Sequence, residues 1–278
     1  MTTAADLIAQ GHPDAALQQL QQEIRTRAAD PKLRVFLFQL LCIQGQWSRA
    51  LSQLQVCGEL DAGTLAMVNT YREAVQCEAV REAVFQGRTL PHVLGHPQPW
   101  VALLAQALQV EGEGNLAAAA KLRQQAFDQA PPTPGTLDGA PFEWIADADS
   151  RIGPILEAVI NGRYCWIPFT ALAKVVFEAP VDLRDLVWLP AQVQLVNGGE
   201  VVALVPSRYP ESAAQPDVAL RMSRKTEWLE LAEGQYRGLG QRTLVTSEAE
   251  VGLLDVRELV LHPLIDDEPE APDAPAAA

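Results

Sequence analysis

Along the first 130 residues the apolar positions recur at helical spacing, and the recurrence is punctuated by one repeated signal: Gly11-x4-Ala16, Gly45-x4-Ala50 and Gly114-x4-Ala119. A glycine permits the tight turn between two helices, and four residues on a small alanine lets the second helix press against the first. The first two copies stand 34 residues apart and the third 69 further on. That is the tetratricopeptide period and predicts stacked helix pairs. Asp30-Pro31 opens a helix, with proline suited to its first turn. The run from Lys32 to Gln44 is too apolar for a surface helix, so it is expected to be covered on most sides. Residues 65–86 lack the glycine-alanine signal and are read as one longer helix ended by Gly87. A loop from Pro91 to Pro99 precedes a last pair, 100–111 with 116–129.

Pro131, Pro132, Pro134 and Gly135 break this pattern, because three prolines in four residues cannot continue a helix. Beyond them a helix is expected at Ser150–Asn161, closed by Gly162, and then the period changes to two. Segments 164–169, 174–178, 187–196, 200–206, 226–230, 242–246 and 256–261 read as strands. Asn197-Gly198-Gly199 between two of them marks a hairpin, since Asn and Gly tolerate the positive φ its turn requires. The expected architecture is therefore an N-terminal tetratricopeptide-like superhelix (1–130), a linker (131–135) and a small β-rich, barrel-like α+β domain with one helix (136–265). An acidic tail (266–278) follows, whose composition predicts disorder.

Composition narrows the function classes. The 278 residues are 48% hydrophobic, enough for a sizeable core and most simply two domains. A formal charge of −14 argues against a nucleic-acid or anionic-membrane surface. Five of those charges, Asp266, Asp267, Glu268, Glu270 and Asp273, lie in the tail, and nine remain elsewhere. No targeting segment opens the chain, and the longest apolar runs fall short of the ~20 residues that span a bilayer. A soluble protein of the reducing cytoplasm is expected. Cys42, Cys57, Cys77 and Cys165 form no paired motif and read as buried free thiols.

Candidate chemistry is sparse. His92-x3-His96 lies in a proline-bounded loop without acidic or thiol partners. Asp138, Glu143, Asp147 and Asp149 form a denser group of the oxygen ligands that a hard cation takes, which is one reading, a metal-dependent hydrolase. The competing reading is a structural joint: Asp149 caps the expected helix, and Asp147, Asp149 and Arg151 pair with one another. No nucleophile motif or phosphate loop is present, so no catalytic, cofactor or metal residue is assigned.

Five stretches together, RVFLFQLLCIQGQWSRAL (34–51), PFEWIADADSRIGPILEAVINGRYCWIPF (141–169), DLRDLVWLPAQ (182–192), NGGEVVALVPSRYP (197–210) and TEWLEL (226–231), resemble the ImpE family, also called SciE or TagJ. The resemblance covers residues 4–262. It implies a cytoplasmic, non-enzymatic accessory protein of bacterial type VI secretion without cofactors. Its partner would be a helix of the small, TssB-like sheath subunit, and through it the sheath-recycling ATPase ClpV. Neither nucleic acid nor membrane is implied. A helical-repeat half suits helix-in-groove recognition. If Gly45 marks the turn, Val35, Gln39 and Ile43 share one face of the preceding helix, with Tyr71 and Arg72 as further candidates on the next. A general peptide-binding adaptor or chaperone for secreted effectors would use the same groove.

Overall fold

The computed structural model describes residues 3–262; the acidic tail expected at 266–278 lies outside them. Seven helices come first: α1 (Ala4–Ala9), α2 (Pro13–Thr26), α3 (Pro31–Ile43), α4 (Trp47–Leu60), α5 (Leu65–Phe85), α6 (Pro99–Gly112) and α7 (Leu116–Gln129). The repeated signal does what its chemistry requires. Gly45 sits at φ +65° between α3 and α4, and Ala50 is wholly buried where those helices meet. α5 is a single long helix, as the missing glycine suggested. A short strand, β1 (His92–Val93), interrupts the α5–α6 connection.

The chain leaves α7 through the prolines and becomes sheet. Its strands are β2 (Gly135–Leu137), β3 (Ala140–Phe142), β4 (Ile145–Asp147), β5 (Ile155–Ile160), β6 (Arg163–Pro168), β7 (Leu172–Phe177), β8 (Trp188–Leu195) and β9 (Glu200–Pro206). A four-residue helix, α8 (Val218–Arg221), precedes β10 (Thr226–Ala232), β11 (Gln235–Gly240), β12 (Thr243–Thr246), β13 (Glu250–Gly252) and β14 (Glu258–Leu261). One nine-stranded sheet runs β1-β6-β5-β9-β8-β7-β14-β2-β3, antiparallel except for the β1–β6 pair. β13-β12-β4 and the β10-β11 hairpin form two smaller sheets. The order has two ends, so the barrel expected from the strand pattern is instead an open sheet.

The helix expected at Ser150–Asn161 is a second correction. Its apolar core is β5, buried at all six positions and paired with β6 and β9. A strand covered on both faces loses its period-two signature and cannot be told from a buried helix by pattern. Asn161 (φ +49°) and Gly162 (φ +72°) are then the two residues of the β5–β6 hairpin turn and not a helix end.

Two hydrophobic clusters lie on opposite faces of this sheet. Ile155, Val159, Tyr164, Trp166 and Trp188 join Phe38, Leu41, Leu54 and Leu104 of the helices in one core. Leu156, Ala158, Ile167, Leu189 and Val205 belong to the second, with Leu244 of β12, Leu253 from the turn after β13 and Leu259 of β14. Alternation along β5 therefore sends every second residue toward the helices, and the residue between Ile155 and Val159 on that face is Glu157. A carboxylate there is removed from water and must be paired.

Candidate functional site

α5 carries the pairing partners. Glu78, Arg81 and Phe85 follow at helical spacing on the stripe that meets the sheet. Arg81 Nε donates to Glu157 at 2.8 Å and its Nη2 at 3.2 Å, while Glu78 accepts the Trp188 indole N–H at 2.8 Å. Arg242, the residue before β12, donates to Glu157 and also to Asp147 at 2.5 Å. The Tyr164 hydroxyl gives Glu157 a further donor at 2.5 Å. Burial alone would raise the Glu157 pKa, but Arg242 and Arg81 outweigh it and hold the carboxyl at about 2. Asp147 is pushed up to about 6, chiefly by burial, with Arg242 opposing.

Asp149 and Arg151 complete this joint. Arg151 Nη2 donates to Asp149 at 2.6 Å, and the Arg151 guanidinium lies 4.7 Å over the Phe85 ring of α5. The expected helix cap is absent because the helix is absent. The Asp149 carboxylate instead accepts the backbone N–H groups of Arg151 and Gly238, at 2.9 and 3.0 Å. The four carboxylates considered as a cation site are engaged separately: Asp138 binds the Arg257 and Glu258 amides, Glu143 is exposed, and Asp147 and Asp149 each face an arginine. Among the described residues no three His, Cys, Asp or Glu side chains group as metal ligands.

The five residues expected to line a groove separate in the fold. Gln39 lines an open cleft of about 400 Å³ with Phe36 of α3 and with Ala5 and Ile8 of α1. Val35 is partly buried one turn earlier, packed against the core. Ile43 is fully buried, and its carbonyl accepts from Arg208 at 2.7 Å, so it belongs to the core beneath the cleft. Arg72 is exposed and is not among the residues that line it. Tyr71 is buried against Phe38 and Trp188, and burial pushes its phenol to about 12.

The opposite wall was not foreseen. It is the segment Pro180–Leu186, between β7 and β8, with Val181 87% exposed at its crest. Local polar bonds hold this segment in shape. Asp185 Oδ2 accepts the Val181 and Asp182 amides at 2.7 and 2.9 Å, and Asp182 pairs with Arg184. Arg184 lies 4.7 Å over the Tyr71 ring, and the Ser207 hydroxyl donates to the Asp185 carbonyl at 2.6 Å. Tyr71 therefore acts as the floor on which the wall stands. The cleft is a mainly apolar trough whose polar lining side chains are Gln39 and Asp182, a shape and chemistry suited to an amphipathic segment.

Sequence reasoning missed Arg81, Glu157, Arg208 and Arg242. Glu157 had a signal, being the lone charge in Ile155-Leu-Glu-Ala-Val-Ile160, which demands a buried cation. Its partners, 76 and 85 residues away, had none.

Three comparisons bear on this geometry. Residues 139–260 match the family model described as ImpE protein. Over 260 residues the chain is 51% identical to the type VI secretion system accessory component TagJ of Pseudomonas aeruginosa, covering 94% of this chain and 91% of that one. A crystal structure of a Vibrio parahaemolyticus protein superposes with a TM-score of 0.86 at 22% identity, over 94% of this chain and 98% of the other, a likeness of fold. Among the described residues no helix is long and apolar enough to cross a membrane.

Proposed function

This chain belongs to the ImpE family, and from that premise we propose that it is a non-enzymatic, cytoplasmic adaptor of type VI secretion that captures a helix of the small, TssB-like sheath subunit. The capture site is the cleft between α1, α3 and Pro180–Leu186, and through the sheath it influences assembly or ClpV-dependent recycling. The observation that carries this reading is an apolar trough whose crest residue, Val181, is 87% exposed on a wall braced from beneath. An exposed aliphatic on a rigid support is a contact held ready rather than a side chain awaiting collapse.

In this reading the glycine-turned helix pairs of residues 1–130 act as a tetratricopeptide-like superhelix, interrupted by α5, and residues 136–265 are a second, β-rich domain. Both contribute: α1 and α3 supply one wall and the sheet half the other. Asp147, Asp149 and Arg151, with Glu157 and Arg242, form the structural joint that sets the spacing of those walls. Burying one large aliphatic side chain of the partner contributes about 1.5–3 kcal/mol, against about 0–1 for an exposed ion pair, so affinity comes mainly from apolar contact.

The test is calorimetric titration of the full chain with each purified sheath subunit. Saturable binding to the small subunit, retained at moderate salt and lost in Val181→Asp, is the expected result. Binding only to the large subunit, or to neither, refutes the assignment of partner.

A further inference from the structure

Five arginines are buried: Arg81, Arg123, Arg151, Arg208 and Arg242. Four of them have a carboxylate within 4.0 Å, since Arg81 and Arg242 share Glu157, Arg123 faces Glu111 and Arg151 faces Asp149. Arg208, only 3% exposed, has none among the described residues. It lies just after β9, where its Nη1 donates to the Ile43 and Arg221 carbonyls, both at 2.7 Å, and its Nη2 to the Cys42 carbonyl at 2.6 Å. Carbonyl dipoles at the end of α3 solvate a guanidinium but do not cancel its charge. The protonation behaviour records the difference. Against burial, Glu157 raises the pKa of Arg81 and of Arg242, whereas burial lowers that of Arg208 to about 10.

This guanidinium also has donors to spare. An arginine carries five N–H groups, and the three bonds to carbonyls leave one on Nε and one on Nη2, donors of the kind that hold the two oxygens of one carboxylate. Arg208 Nε has no acceptor among the described residues, yet it is not sealed off as Arg123 Nη2 is, so it keeps contact with solvent through the cavity that Arg208 lines. That cavity, of about 290 Å³, lies between the α3–α4 turn, α5 and the loop after β9, at the lower end of the ~300–1,000 Å³ usual for ligand sites. Trp47, Phe85, Pro210 and Ala213 give it apolar surface. Three carboxylates line it as well. Glu78 is tied to Arg81 at 3.6 Å and Glu211 to Arg237 at 2.8 Å, while exposed Glu82 has no cation within 4.0 Å among the described residues. They oppose a ligand with two or more negative charges, such as a phosphate monoester, and restrict the site to a single charge placed at Arg208.

We propose that this cavity binds a small monocarboxylic acid with an apolar body, its carboxylate held by Arg208 and its hydrocarbon part lying against Trp47 and Phe85. Bound there, the ligand supplies the counter-ion that Arg208 lacks and bridges α5 to the loop that carries Pro210. The cavity shares no lining residue with the α1–α3 cleft, so the two sites are independent.

The experiment titrates the full chain by calorimetry with 3-phenylpropionate and hexanoate, with the amide of each, and with phenyl phosphate. At least one carboxylate is expected to bind saturably, about tenfold or more tighter than its amide and than phenyl phosphate, and to raise the thermal unfolding midpoint as its concentration rises. Arg208→Gln should abolish binding, but it also removes the bonds to the end of α3, so Ala214→Trp serves as the second variant. Ala214 is an exposed lining residue, and a bulky ring there should block entry while the unliganded chain unfolds as wild type does. Val181→Asp should leave the affinity unchanged. Four results overturn the proposal: neither carboxylate binds, an amide or phenyl phosphate binds as tightly, folded Ala214→Trp binds as wild type does, or binding is lost in Val181→Asp, which would put the ligand in the other cleft.

Discussion

Replacing Glu157 by Gln tests the joint most directly. The carboxylate is fully buried and accepts from Arg81, Arg242 and Tyr164. The amide keeps the shape of the side chain but removes the charge, so two buried guanidiniums lose their shared counter-ion. Breaking a buried pair by removing one partner costs about 3–5 kcal/mol. The protonation behaviour leads to a similar figure. A carboxyl held at about 2 when folded, against its ordinary 4.5, corresponds to about 3 kcal/mol at neutral pH. Because this folded pKa is depressed, the contribution is complete above about 4.5 and is lost as pH falls toward 2. Equilibrium urea unfolding of the full chain at pH 7, followed by tryptophan fluorescence, should show the unfolding free energy of Glu157→Gln falling by that amount. The variant should also lose the acid-limb slope between about pH 4.5 and 2. A loss under about 1 kcal/mol, or an unchanged acid limb, would refute the claim that the charge and not the shape holds α5 to the sheet.

Other outcomes follow from particular contacts. Asp147 has a folded pKa of about 6 against an ordinary 3.8, so the folded state takes up a proton as pH falls through 6. With Glu157 acting oppositely below 4.5, the two groups together give a stability maximum near about pH 4, a decline from there to about 6 and a plateau above it, and Asp147→Asn should abolish that decline. Asp149→Ala leaves Arg151 buried without its partner, so it should cost about 3–5 kcal/mol by urea titration, beyond the ~0.5–2 of a lost helix cap. At Gly238 an added Cβ would lie 2.2 Å from the buried Tyr209 ring, and Gly238→Ala is expected to lower stability by about 1–3 kcal/mol, with a changed near-ultraviolet dichroism. Val181→Asp and Gln39→Glu should each weaken small-subunit binding about tenfold or more in calorimetry, and Val181→Asp, being exposed, should leave thermal unfolding within about 0.5 kcal/mol of wild type.

The sequence alone determined what depends on neighbours a few residues away. Gly11, Gly45 and Gly114 announced the helix turns because only a residue without Cβ accepts their positive φ cheaply, and Asn197-Gly198 announced a hairpin for the same reason. Seven strands were legible from alternation, and the family was legible from five dispersed stretches. β5 was misread because burial on both faces erases the alternation that marks a strand. The open edge of the sheet, the pairing of Glu157 with arginines far along the chain, and the cleft wall at Pro180–Leu186 were decided only by the tertiary structure. Gln39 could be placed on a helix face from spacing, but which face is covered depends on what packs there. Ile43 and Tyr71 share the apolar chemistry of a groove, yet the sheet half closes over them and leaves the trough one layer further out. Local chemistry sets the conformation of each segment; the partner of a buried charge, and the side of a helix that stays open, are set by chain closure over distances that no spacing rule records.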